Sequence, residues 1–325
     1  MKVLITGGAG FIGFHLAKLL LEKEFIVDLT DILDENKFDI DLVELLKIKN
    51  CNYIKSNLLE ENQIKNLFNN YDLIIHLAAI VGVEQVISDS YSVLCNNQKM
   101  LANIINLAIK HSRKPRLIFA STSEVYAGSQ FHERIKYPTL ENTVLSLPEL
   151  SLPRTSYMLS KIYGEAMCHS SGLDCIILRP HNIYGPRMGM KHVIPQLIKK
   201  ILSTPINGTL DIYSPDHSRT FCYVDYAVNK ILGFIEKQTI GEKIFNLGVS
   251  DPEIKIKDLS KILLKISNRN DITINELENT PGSPSRRVPD TTKLNQQTEY
   301  IEIPTLYEGI TNTFNWYKNY LEKDD

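Results

Sequence analysis

Two groups of polar residues in the middle of the chain have the types and spacing for proton transfer. Thr122, Ser123 and Glu124 directly follow the run LIFAS, which has the composition of a buried strand. Tyr157 and Lys161 are four residues apart in a helical pattern, so their side chains share one helix face. A phenol titrates near pH ~10, but a neighbouring ammonium group stabilises the phenolate and makes it a usable base near neutrality. Tyr and Lys at this spacing are commonplace, so their meaning depends on context.

A glycine-rich segment near the N-terminus, TGGAGFIG, links an apolar run to a helical pattern. Gly7, Gly10 and Gly13 stand where a strand-to-helix turn needs a tight bend, a close backbone approach and close helix packing. The amides at the start of the helix, where Phe11 and Ile12 follow Gly10, can hold a pyrophosphate. A glycine triad alone can also serve a tight turn for purely steric reasons.

Asp31 gives the glycine segment a partner. It lies 18 residues beyond Gly13, at the end of the second apolar run. A carboxylate at that position accepts hydrogen bonds from an adenosine ribose, and its charge repels a 2'-phosphate. The loop and Asp31 together therefore predict a site for NAD rather than NADP. A helix or turn cap is the alternative role of Asp31.

The order of elements predicts an α/β fold of the Rossmann type, a doubly wound parallel sheet with a smaller, irregular C-terminal lobe. Helical patterns separate most of the apolar runs, and such runs are typical of strands buried on both faces. In the first helix, Ile12, Leu16, Leu19 and Leu20 share the face that we expect to pack on the sheet. The predicted strands are Val3–Thr6, Phe25–Thr30, Leu73–Ala79, Leu117–Ser121 and Cys175–Leu178.

Beyond residue 180 the pattern loosens. The predicted elements there are loops rich in Pro and Gly at 180–189, 205–220 and 279–289, and helices at 256–267 and 306–319. We expect a first domain over residues 1–180 and a second domain, interleaved with it, over residues 181–325. Because ligands of open α/β sheets bind at the carboxyl ends of the strands, we expect the two lobes to share a cleft there.

The composition is that of a globular protein with a large core. Of its 325 residues 43% are hydrophobic, and 36 Lys and Arg stand against 38 Asp and Glu, so neither nucleic acid nor a membrane surface is predicted as a partner. The five cysteines form no CxxC pair and no cluster with histidine, which predicts reduced thiols and no metal site. No run reaches about 18 apolar residues and the N-terminal run is too short for a signal peptide, so we expect a cytoplasmic protein.

Several motifs occur together in one order along the chain. They are TGGAGFIG, HLAA at 76–79, STSEVY, Tyr157-x-x-x-Lys161, RPHNIYGPR at 179–187 and RTFCYVD at 219–225. In this combination the chain resembles the extended short-chain dehydrogenase/reductase superfamily, in its nucleotide-sugar epimerase and dehydratase branch. The motifs begin at residue 3 and extend to residue 290, so the resemblance covers nearly the whole chain.

The resemblance implies an enzyme that holds NAD tightly and acts on a nucleotide sugar. It implies that Thr122 hydrogen-bonds the reacting sugar oxygen, that Tyr157 is the base, and that Lys161 binds the nicotinamide ribose and favours the phenolate. Members of the family remove a proton from a sugar hydroxyl, usually at C4, while hydride passes to NAD and a transient ketone forms. The first domain is thus expected to bind NAD and carry the catalytic residues, and the second to bind mainly the nucleotide sugar.

The resemblance also implies a set of cofactor contacts. Asn57 stands where the family usually has an aspartate bonded to the adenine amino group, and its carbonyl oxygen can still accept that bond. The other predicted NAD contacts are Gly7, Gly10, Phe11, Ile12, Gly13, Asp31, Leu58, Leu77, Ala78, Ala79, Tyr157 and Lys161. His76 and Asp225 are interpreted mainly as structural, at a strand end and a helix start.

For the nucleotide sugar, the resemblance points mostly to residues later in the chain. Asn182 matches a residue that contacts the substrate, and Arg219 matches an arginine on its diphosphate. Arg286 or Arg287 is predicted as the second such arginine, since a guanidinium fork suits phosphate oxygens. A solvated loop charge is the alternative role of that arginine pair. Ser123 is also predicted to contact the substrate.

Glu124 bears on which second step follows the oxidation. Once C4 is a ketone, the C5 hydrogen is acidified, and a nearby carboxylate can remove it and help expel the C6 hydroxyl as water. This 4,6-dehydratase reaction is our first prediction. The order Thr-Ser-Glu resembles GDP-mannose 4,6-dehydratases, but it also resembles UDP-glucuronate decarboxylases, so Glu124 alone does not separate these two. A 4-epimerase, which needs no Glu124, is the second. A UDP-glucuronate decarboxylase, which uses the same oxidation, is the third, and a Glu124 bonded to backbone amides would favour the epimerase.

Other features of the chain complete the prediction. The loop IVGVEQVIS after HLAA is closer to epimerases and dehydratases than to decarboxylases. A regulatory NAD sensor is the non-enzyme alternative, but such a protein would be expected to lack Tyr157 or Lys161. Residues 127–156 are longer than in compact relatives, and their prolines predict an irregular insert that covers the sugar as a flap. Relatives often form homodimers through paired helices, here those near 91–111 and 157–170.

Overall fold

The structure, a computed structural model, describes residues 1–67, 70–236, 243–280 and 283–324. The strands are β1 (Lys2–Thr6), β2 (Ile26–Asp31), β3 (Cys51–Lys55), β4 (Leu73–His76), β5 (Arg116–Ala120), β6 (Cys175–Pro180), β7 (Ile183–Tyr184), β8 (Thr209–Tyr213), β9 (Ser218–Thr220), β10 (Cys222–Tyr223), β11 (Ile244–Leu247), β12 (Glu253–Lys255), β13 (Thr273–Leu277) and β14 (Arg286–Arg287). The helices are α1 (Phe11–Glu22), α2 (Ile40–Leu46), α3 (Glu61–Ile64), α4 (Val83–Ser88), α5 (Ser90–Lys110), α6 (Ala127–Phe131), α7 (Pro153–Ser170), α8 (Val193–Ser203), α9 (Val224–Glu236), α10 (Ile256–Ile266), α11 (Thr292–Gln297) and α12 (Leu306–Asp324). The 3-10 turns of the described residues lie at Glu35–Lys37, Lys65–Leu67 and Ser123–Tyr126.

A seven-stranded sheet has the order β11-β6-β5-β4-β1-β2-β3. β1 pairs in parallel with β2 on one side and with β4 on the other, and the pairs β2–β3, β4–β5 and β5–β6 are parallel as well. β1 and β4 are buried at almost every position, which is why their sequences are apolar runs. The strand order reverses between β1 and β4, where sheets of this kind bind ligands at the strand carboxyl ends. The predicted α/β class with a doubly wound parallel sheet is confirmed.

The chain divides into two compact units. The first unit comprises Met1–Ile135, Glu141–Pro180 and Ile231–Asn246, and it carries nearly all of the seven-stranded sheet. The second unit comprises Lys136–Leu140, His181–Lys230 and Leu247–Asp325. Its described residues form three small sheets, in which β7 pairs with β10, β8 pairs with β13, and β9 lies between β12 and β14. The assignment of NAD and the nucleotide sugar to separate domains stays a prediction.

The structure corrects several predicted boundaries. The strand expected to continue to Ala79 ends at His76, because its neighbour β1 ends at Thr6 and Gly7 turns the chain away with a φ of 69°. The predicted loop at 205–220 contains β8 and β9. The residues of β8 alternate between exposed and buried, the period of a half-buried strand, and β8 pairs with the distant β13. β3 was not among the predicted strands.

The insert after the 3-10 turn is more ordered than its prolines predict. The insert starts with α6. It then enters the segment Lys136–Leu140, which belongs to the second unit, and there Thr139 forms a parallel β-bridge with Pro289. Pro153 does not keep the insert irregular, because it is the first residue of α7, where its missing N–H costs no hydrogen bond. A flap role for the insert, a homodimer and a cytoplasmic location stay predictions.

Among the residues that the structure describes, none of the helices combines the length and the apolar character needed to span a bilayer.

Candidate active site

One face of α7 holds the segment that follows β5. Arg154, Tyr157, Lys161 and Glu165 are spaced at i, i+3, i+7 and i+11, so they form a single stripe, which we call the reactive face. Lys161 Nζ donates to the carbonyl oxygen of Ala120 at 2.7 Å. This bond anchors the segment after β5 to α7, and two further hydrogen bonds that involve side chains do the same. Ser121 Oγ donates to Glu165 Oε1 at 2.5 Å, and Arg154 Nη2 donates to Glu124 Oε1 at 3.2 Å. Since these anchors enclose Thr122 along one chain segment and Tyr157 along the other, the structure brings the predicted hydroxyl and base to the same place.

Thr122 is held in a defined orientation. It precedes the 3-10 turn Ser123–Tyr126 as its cap, and its Oγ1 accepts the backbone N–H of Glu124 at 3.2 Å. A hydroxyl oxygen that accepts one bond still has its own proton to donate. Only 9% of Thr122 and 6% of Ser123 are exposed. The predicted donor to a sugar oxygen therefore has a fixed oxygen and an O–H able to turn towards a ligand.

Lys161 is buried, and burial lowers the pKa of its ammonium group to about 8, although Glu165 and Cys168 work in the opposite direction. The group is therefore still mainly protonated at neutral pH. Its Nζ lies 5.0 Å from the ring centre of Phe119 and 5.9 Å from that of Tyr157. A positive charge at that distance from the phenol favours the phenolate. The roles of Tyr157 as the base and of Lys161 as its partner stay predictions.

His76 has the structural character that its sequence position suggested. It is 1% exposed, its Nδ1 is hydrogen-bonded to Thr6 Oγ1 at 2.8 Å, and its ring stacks on Phe119. Burial, followed by the charge of Lys161, lowers the pKa of His76 to about 3. His76 is therefore neutral at physiological pH and adds no charge beside the lysine.

A buried ion pair behind the reactive face was not predicted from the sequence. Arg179 at the end of β6 makes two hydrogen bonds to the Glu165 carboxylate, Nε to Oε1 at 2.9 Å and Nη2 to Oε2 at 2.7 Å. The same guanidinium donates to the hydroxyl of Tyr126 at 2.7 Å and to the carbonyl of Glu141 at 3.0 Å. The helical spacing already places Glu165 on the same face as Lys161, four residues before it. Its partner Arg179 lies in a different motif, RPHNIYGPR, so the pair cannot be recognised from spacing. The pair fixes Ser121, which lies between the anchor of Lys161 and Thr122.

Glu124, the carboxylate predicted to act in a second step, is partly buried and paired. Its side chain is 19% exposed and that of Arg154 is 32% exposed. Arg154 belongs to the first turn of α7, so the carboxylate is directed towards the helix that carries Tyr157. Arg154 was absent from the predicted site residues.

The glycine loop has the shape that a pyrophosphate requires. A Cβ on Gly13 would lie 2.4 Å from the carbonyl oxygen of Gly7, and one on Gly7 would lie 2.8 Å from the amide nitrogen of Ala78. The φ of Gly7 is also positive, at 69°, so this position needs glycine on both grounds. Phe11 and Ile12 form the first turn of α1, where the amides lack intrahelical acceptors. These features fit a dinucleotide phosphate at the helix start.

Asp31 ends β2 beside this loop. Its Oδ2 accepts the N–H of Ala9 at 3.3 Å and its Oδ1 accepts that of Ile32 at 2.8 Å. Burial raises the pKa of Asp31, and the bonds from these amides oppose that rise. The carboxylate thus lies against the glycine loop, as expected for a ribose acceptor, and the residues present fit NAD.

The remaining predicted cofactor residues are arranged along the same strand ends. Asn57 follows β3, and its Oδ1 accepts the N–H of Leu59 at 3.0 Å, which uses one of two lone pairs and leaves the other for a ligand. Leu58 is buried. Leu77, Ala78 and Ala79 follow β4, and the amide of Ala78 is bonded to Thr6 Oγ1 at 3.2 Å.

Asn97 was missed by the sequence reasoning although it fixes the loop after these residues. It lies on α5, and its amide forms a pair of hydrogen bonds with the backbone of Ile80, Oδ1 with the N–H at 2.7 Å and Nδ2 with the carbonyl at 3.1 Å. Its Nδ2 also lies 3.3 Å from Ser160 Oγ on α7. A lone Asn in a helical pattern gives no sign of such a role, because its partners are distant in sequence.

In the second unit, strand pairing separates the two neighbouring arginines. Arg287 is the register partner of Arg219 across the parallel pair β14–β9, so these two side chains share a face of the small sheet. Arg286 is the register partner of Ser218 and lies on the opposite face. There its guanidinium makes two 2.8 Å bonds to Glu253 and lies over the ring of Tyr137 at 4.9 Å.

Arg219 is oriented by the chain that leads into β14. Its Nη1 donates to the carbonyl of Pro284 at 3.0 Å, and its Nη2 lies 3.1 Å from Ser283 Oγ. Asn182, predicted to contact the substrate, has a φ of 43° and donates through Nδ2 to the carbonyl of Thr220 at 2.9 Å. Its Oδ1 is the atom left to accept from a ligand.

Comparisons with known proteins give one family. The NAD dependent epimerase/dehydratase family matches residues 3–248. A Bacillus subtilis protein named uncharacterized UDP-glucose epimerase YtcB is 32% identical over 324 residues, which cover 96% of each chain. UDP-N-acetyl-alpha-D-glucosaminuronate decarboxylase of Bacillus cytotoxicus is 30% identical with 99% of each chain covered.

A solved structure agrees with the fold. The crystal structure of UDP-glucuronic acid 4-epimerase from Bacillus cereus in complex with UDP-glucuronic acid and NAD has a TM-score of 0.85 and 26% identity. The match covers 98% of this chain and 100% of that one. The chain therefore belongs to the NAD dependent epimerase/dehydratase family of enzymes, as its sequence motifs predicted, and NAD is its cofactor.

Proposed function

We propose that the protein oxidises a nucleotide sugar at C4 to a transient ketone and then removes water from it, as an NDP-hexose 4,6-dehydratase. The observation that carries the proposal is the set of three anchors between α7 and residues 120–124, which enclose Thr122 and Tyr157 and hold Glu124 beside them. Such an arrangement brings a donor, a base and a carboxylate together from two segments, residues 120–124 and α7.

The first step uses the groups that the family shares. When bound, NAD accepts a hydride from C4 and returns it at the end of the cycle. Tyr157 takes the proton from the C4 hydroxyl while Thr122 donates a hydrogen bond to the same oxygen. Lys161 favours the phenolate through its charge, which its bond to the Ala120 carbonyl holds in place. The buried position of Lys161 strengthens this effect, because charges interact more strongly away from water.

The second step is assigned to Glu124. The ketone at C4 acidifies the C5 hydrogen, so the Glu124 carboxylate removes it as a proton. Ser123 stands before Glu124 and is no acid, so the same carboxylate then gives its proton to the departing C6 hydroxyl. Water leaves and a C5–C6 double bond forms. NAD, when bound, would supply the hydride for C6, and the proton that Tyr157 took from the C4 hydroxyl balances the one added to C5, which gives a 4-keto-6-deoxy sugar.

The arginines of the second unit suit the diphosphate of the substrate. Arg219 and Arg287 carry like charges side by side on neighbouring strands, an arrangement that is unfavourable in itself. An anion beside both guanidinium groups removes that repulsion and gains charge-assisted hydrogen bonds. Since the strand register places Arg287, and not Arg286, beside Arg219, Arg287 is the better choice for the second diphosphate arginine.

Decarboxylation of a nucleotide uronate is the second candidate. It is favoured by the likeness to the Bacillus cytotoxicus decarboxylase over nearly the full length of both chains. The same oxidation at C4 would make the C5 carboxylate of a uronate leave as carbon dioxide. The roles of Thr122, Tyr157 and Lys161 would be unchanged.

A panel of nucleotide sugars tests the proposal. The purified protein with NAD is incubated with nucleotide hexoses, N-acetylhexosamines and hexuronates, and product masses are recorded. Loss of water is the expected result, loss of carbon dioxide supports the second candidate, and an unchanged mass with altered stereochemistry shows an epimerase. Glu124→Gln should abolish water loss but leave an epimerase active. Lack of any product and of any NAD reduction across the panel would overturn the proposed chemistry.

A further inference from the structure

Arg154 has a position that the stability of α7 does not explain. It is the second residue of the helix, after Pro153, and its cationic side chain lies at the end where the helix dipole is already positive. A positive charge there opposes the dipole, so the residue does not favour helix formation on its own account. The contact that offsets this cost is the bond from Arg154 Nη2 to Glu124 Oε1.

Glu124 is held from two directions by this contact and by its backbone. Its N–H is bonded to Thr122 Oγ1 at 3.2 Å, and its carboxylate is bonded to Arg154 at 3.2 Å. A glutamate side chain has several rotatable bonds, and an unanchored one loses much conformational freedom when it must adopt a single reactive pose. An anchor formed before the substrate binds removes that cost from the reaction step.

Arg154 also links Glu124 to the base of the first step. Arg154 and Tyr157 are three residues apart on the reactive face of α7, and the helix fixes the distance between their backbones. The 3-10 turn that carries Glu124 packs against this helix. In the proposed reaction Tyr157 acts on the hydroxyl at C4 and Glu124 acts at C5, and C4 and C5 are adjacent atoms of the sugar ring. A rigid helix that holds both groups is a means of keeping them in register with adjacent atoms of one ring.

We propose that Arg154 is a positioning residue for the second step, and that its charged hydrogen bond keeps the Glu124 carboxylate directed at the sugar without taking part in the oxidation at C4. This inference rests on the proposed function. It predicts that the two steps respond differently to changes at position 154, which a purely structural role of the arginine would not produce.

Single-turnover measurements separate the two steps. Wild-type protein, Arg154→Gln, Arg154→Lys and Glu124→Gln are mixed with the best sugar of the panel, while absorbance reports bound NADH and quenched samples report water loss. In Arg154→Gln we expect NADH to form within about twofold of the wild-type rate and water loss to slow about 10- to 100-fold, as for a lost charge-assisted hydrogen bond. The spectroscopic signature is accumulation of NADH. Arg154→Lys, which keeps the charge, should restore part of the rate.

A matched control removes an arginine from another ion pair. Arg113 Nη1 lies 3.4 Å from Asp72 Oδ1 on the surface, so Arg113→Gln should leave both steps unchanged. Equal slowing of both steps in Arg154→Gln, or no slowing of either, would overturn the inference. Rates in Arg154→Lys no better than in Arg154→Gln would contradict the part assigned to charge.

A second measurement needs no substrate and keeps the inference separate from the proposed function. Amide hydrogen exchange over residues 122–126 reports how firmly the turn and Glu124 are held. Faster exchange is expected in Arg154→Gln than in wild-type protein, with Arg154→Lys between them and Arg113→Gln unchanged. Identical exchange in all four proteins would refute the anchor itself, whatever the reaction proves to be. Faster exchange combined with no product from any sugar would retain the anchor and reject the dehydratase.

Discussion

The reactive face of the first unit and the arginine face of the second unit are built by different means. Tyr157 and Lys161 share one helix, and their partners Thr122 and Glu124 follow the preceding strand of the sheet. Arg219 and Arg287 lie on two short strands that are far apart in sequence, and only the pairing of β9 with β14 brings them to one face.

This difference decides what spacing in a sequence can reveal. Helical spacing converts directly into a shared face, because the period of the helix is fixed. Adjacent residues on a strand point to opposite faces of the sheet, so Arg286 and Arg287 lie on different faces. Which of the two joins Arg219 depends on the register with β9, and a shift of one residue would exchange them.

Removal of the Tyr157 hydroxyl should have the largest effect on the reactive face of the first unit. Tyr157→Phe should lower kcat about a thousandfold, because it deletes the general base while the helix and its anchors remain. The rate of product formation is measured with the nucleotide sugar of the panel that reacts fastest. As a control, the affinity for NAD is measured by titration calorimetry, and this affinity should change little. Turnover that stays within about tenfold of wild type would remove Tyr157 from the proposed chemistry.

Single substitutions of the arginines test which of them binds the diphosphate in the second unit. Arg287→Gln and Arg219→Gln should each weaken binding of a nucleoside diphosphate about 10- to 100-fold, since each loses a charge-assisted bond. Arg286→Gln, the matched control, should change the affinity by about threefold at most, because its guanidinium is engaged by Glu253. Titration calorimetry measures all three variants. An equal or larger loss in Arg286→Gln would show that the strand register does not select the binding arginine.

The pH dependence of the first step tests the charge on Lys161. Its pKa of about 8 means that the ammonium form, and with it the support for the phenolate, is lost as pH rises through 8. The rate of NAD reduction should therefore fall about tenfold for each pH unit well above 8. The stability of the fold responds to pH in the opposite direction. The pKa of a lysine in the unfolded chain is about 10.5, so the unfolded chain binds more protons than the folded one between about pH 8 and 10.5. The contribution of Lys161 to the free energy of unfolding therefore rises with pH over that range. A rate that is flat to pH 10 would contradict the assignment.

The smallest expected effect concerns the ribose acceptor. Asp31→Asn should weaken NAD binding about three- to tenfold and lessen the discrimination against NADP, because a charged acceptor that repels a 2'-phosphate becomes neutral. Asn57→Asp keeps the acceptor for the amide of Leu59 and should change NAD affinity by about twofold at most. Fluorescence titration with each dinucleotide gives the affinities. A larger effect at Asn57 than at Asp31 would reverse their proposed importance.

Most of the fold could be predicted because its strands are continuous apolar runs and its helices are periodic. The end of β4 and the strands β8 and β9 could not, since a short strand exists only where a partner is available. β4 stops at His76, level with Thr6 at the end of β1, and β8 forms beside β13, more than fifty residues later in the chain. Local propensity carries too little information to decide such cases.

The sequence alone is enough to predict the class of the sheet, the glycine loop with its acidic partner, and the spacing of Tyr157 and Lys161. Each of these is local, because a turn, a helix period or a run of buried residues is set by neighbours along the chain. Only the tertiary structure decided that Arg154 holds Glu124, that Glu165 and Arg179 support Ser121, and that Arg287 rather than Arg286 lies beside Arg219. Those pairings join distant segments, and their geometry depends on how the packed elements meet.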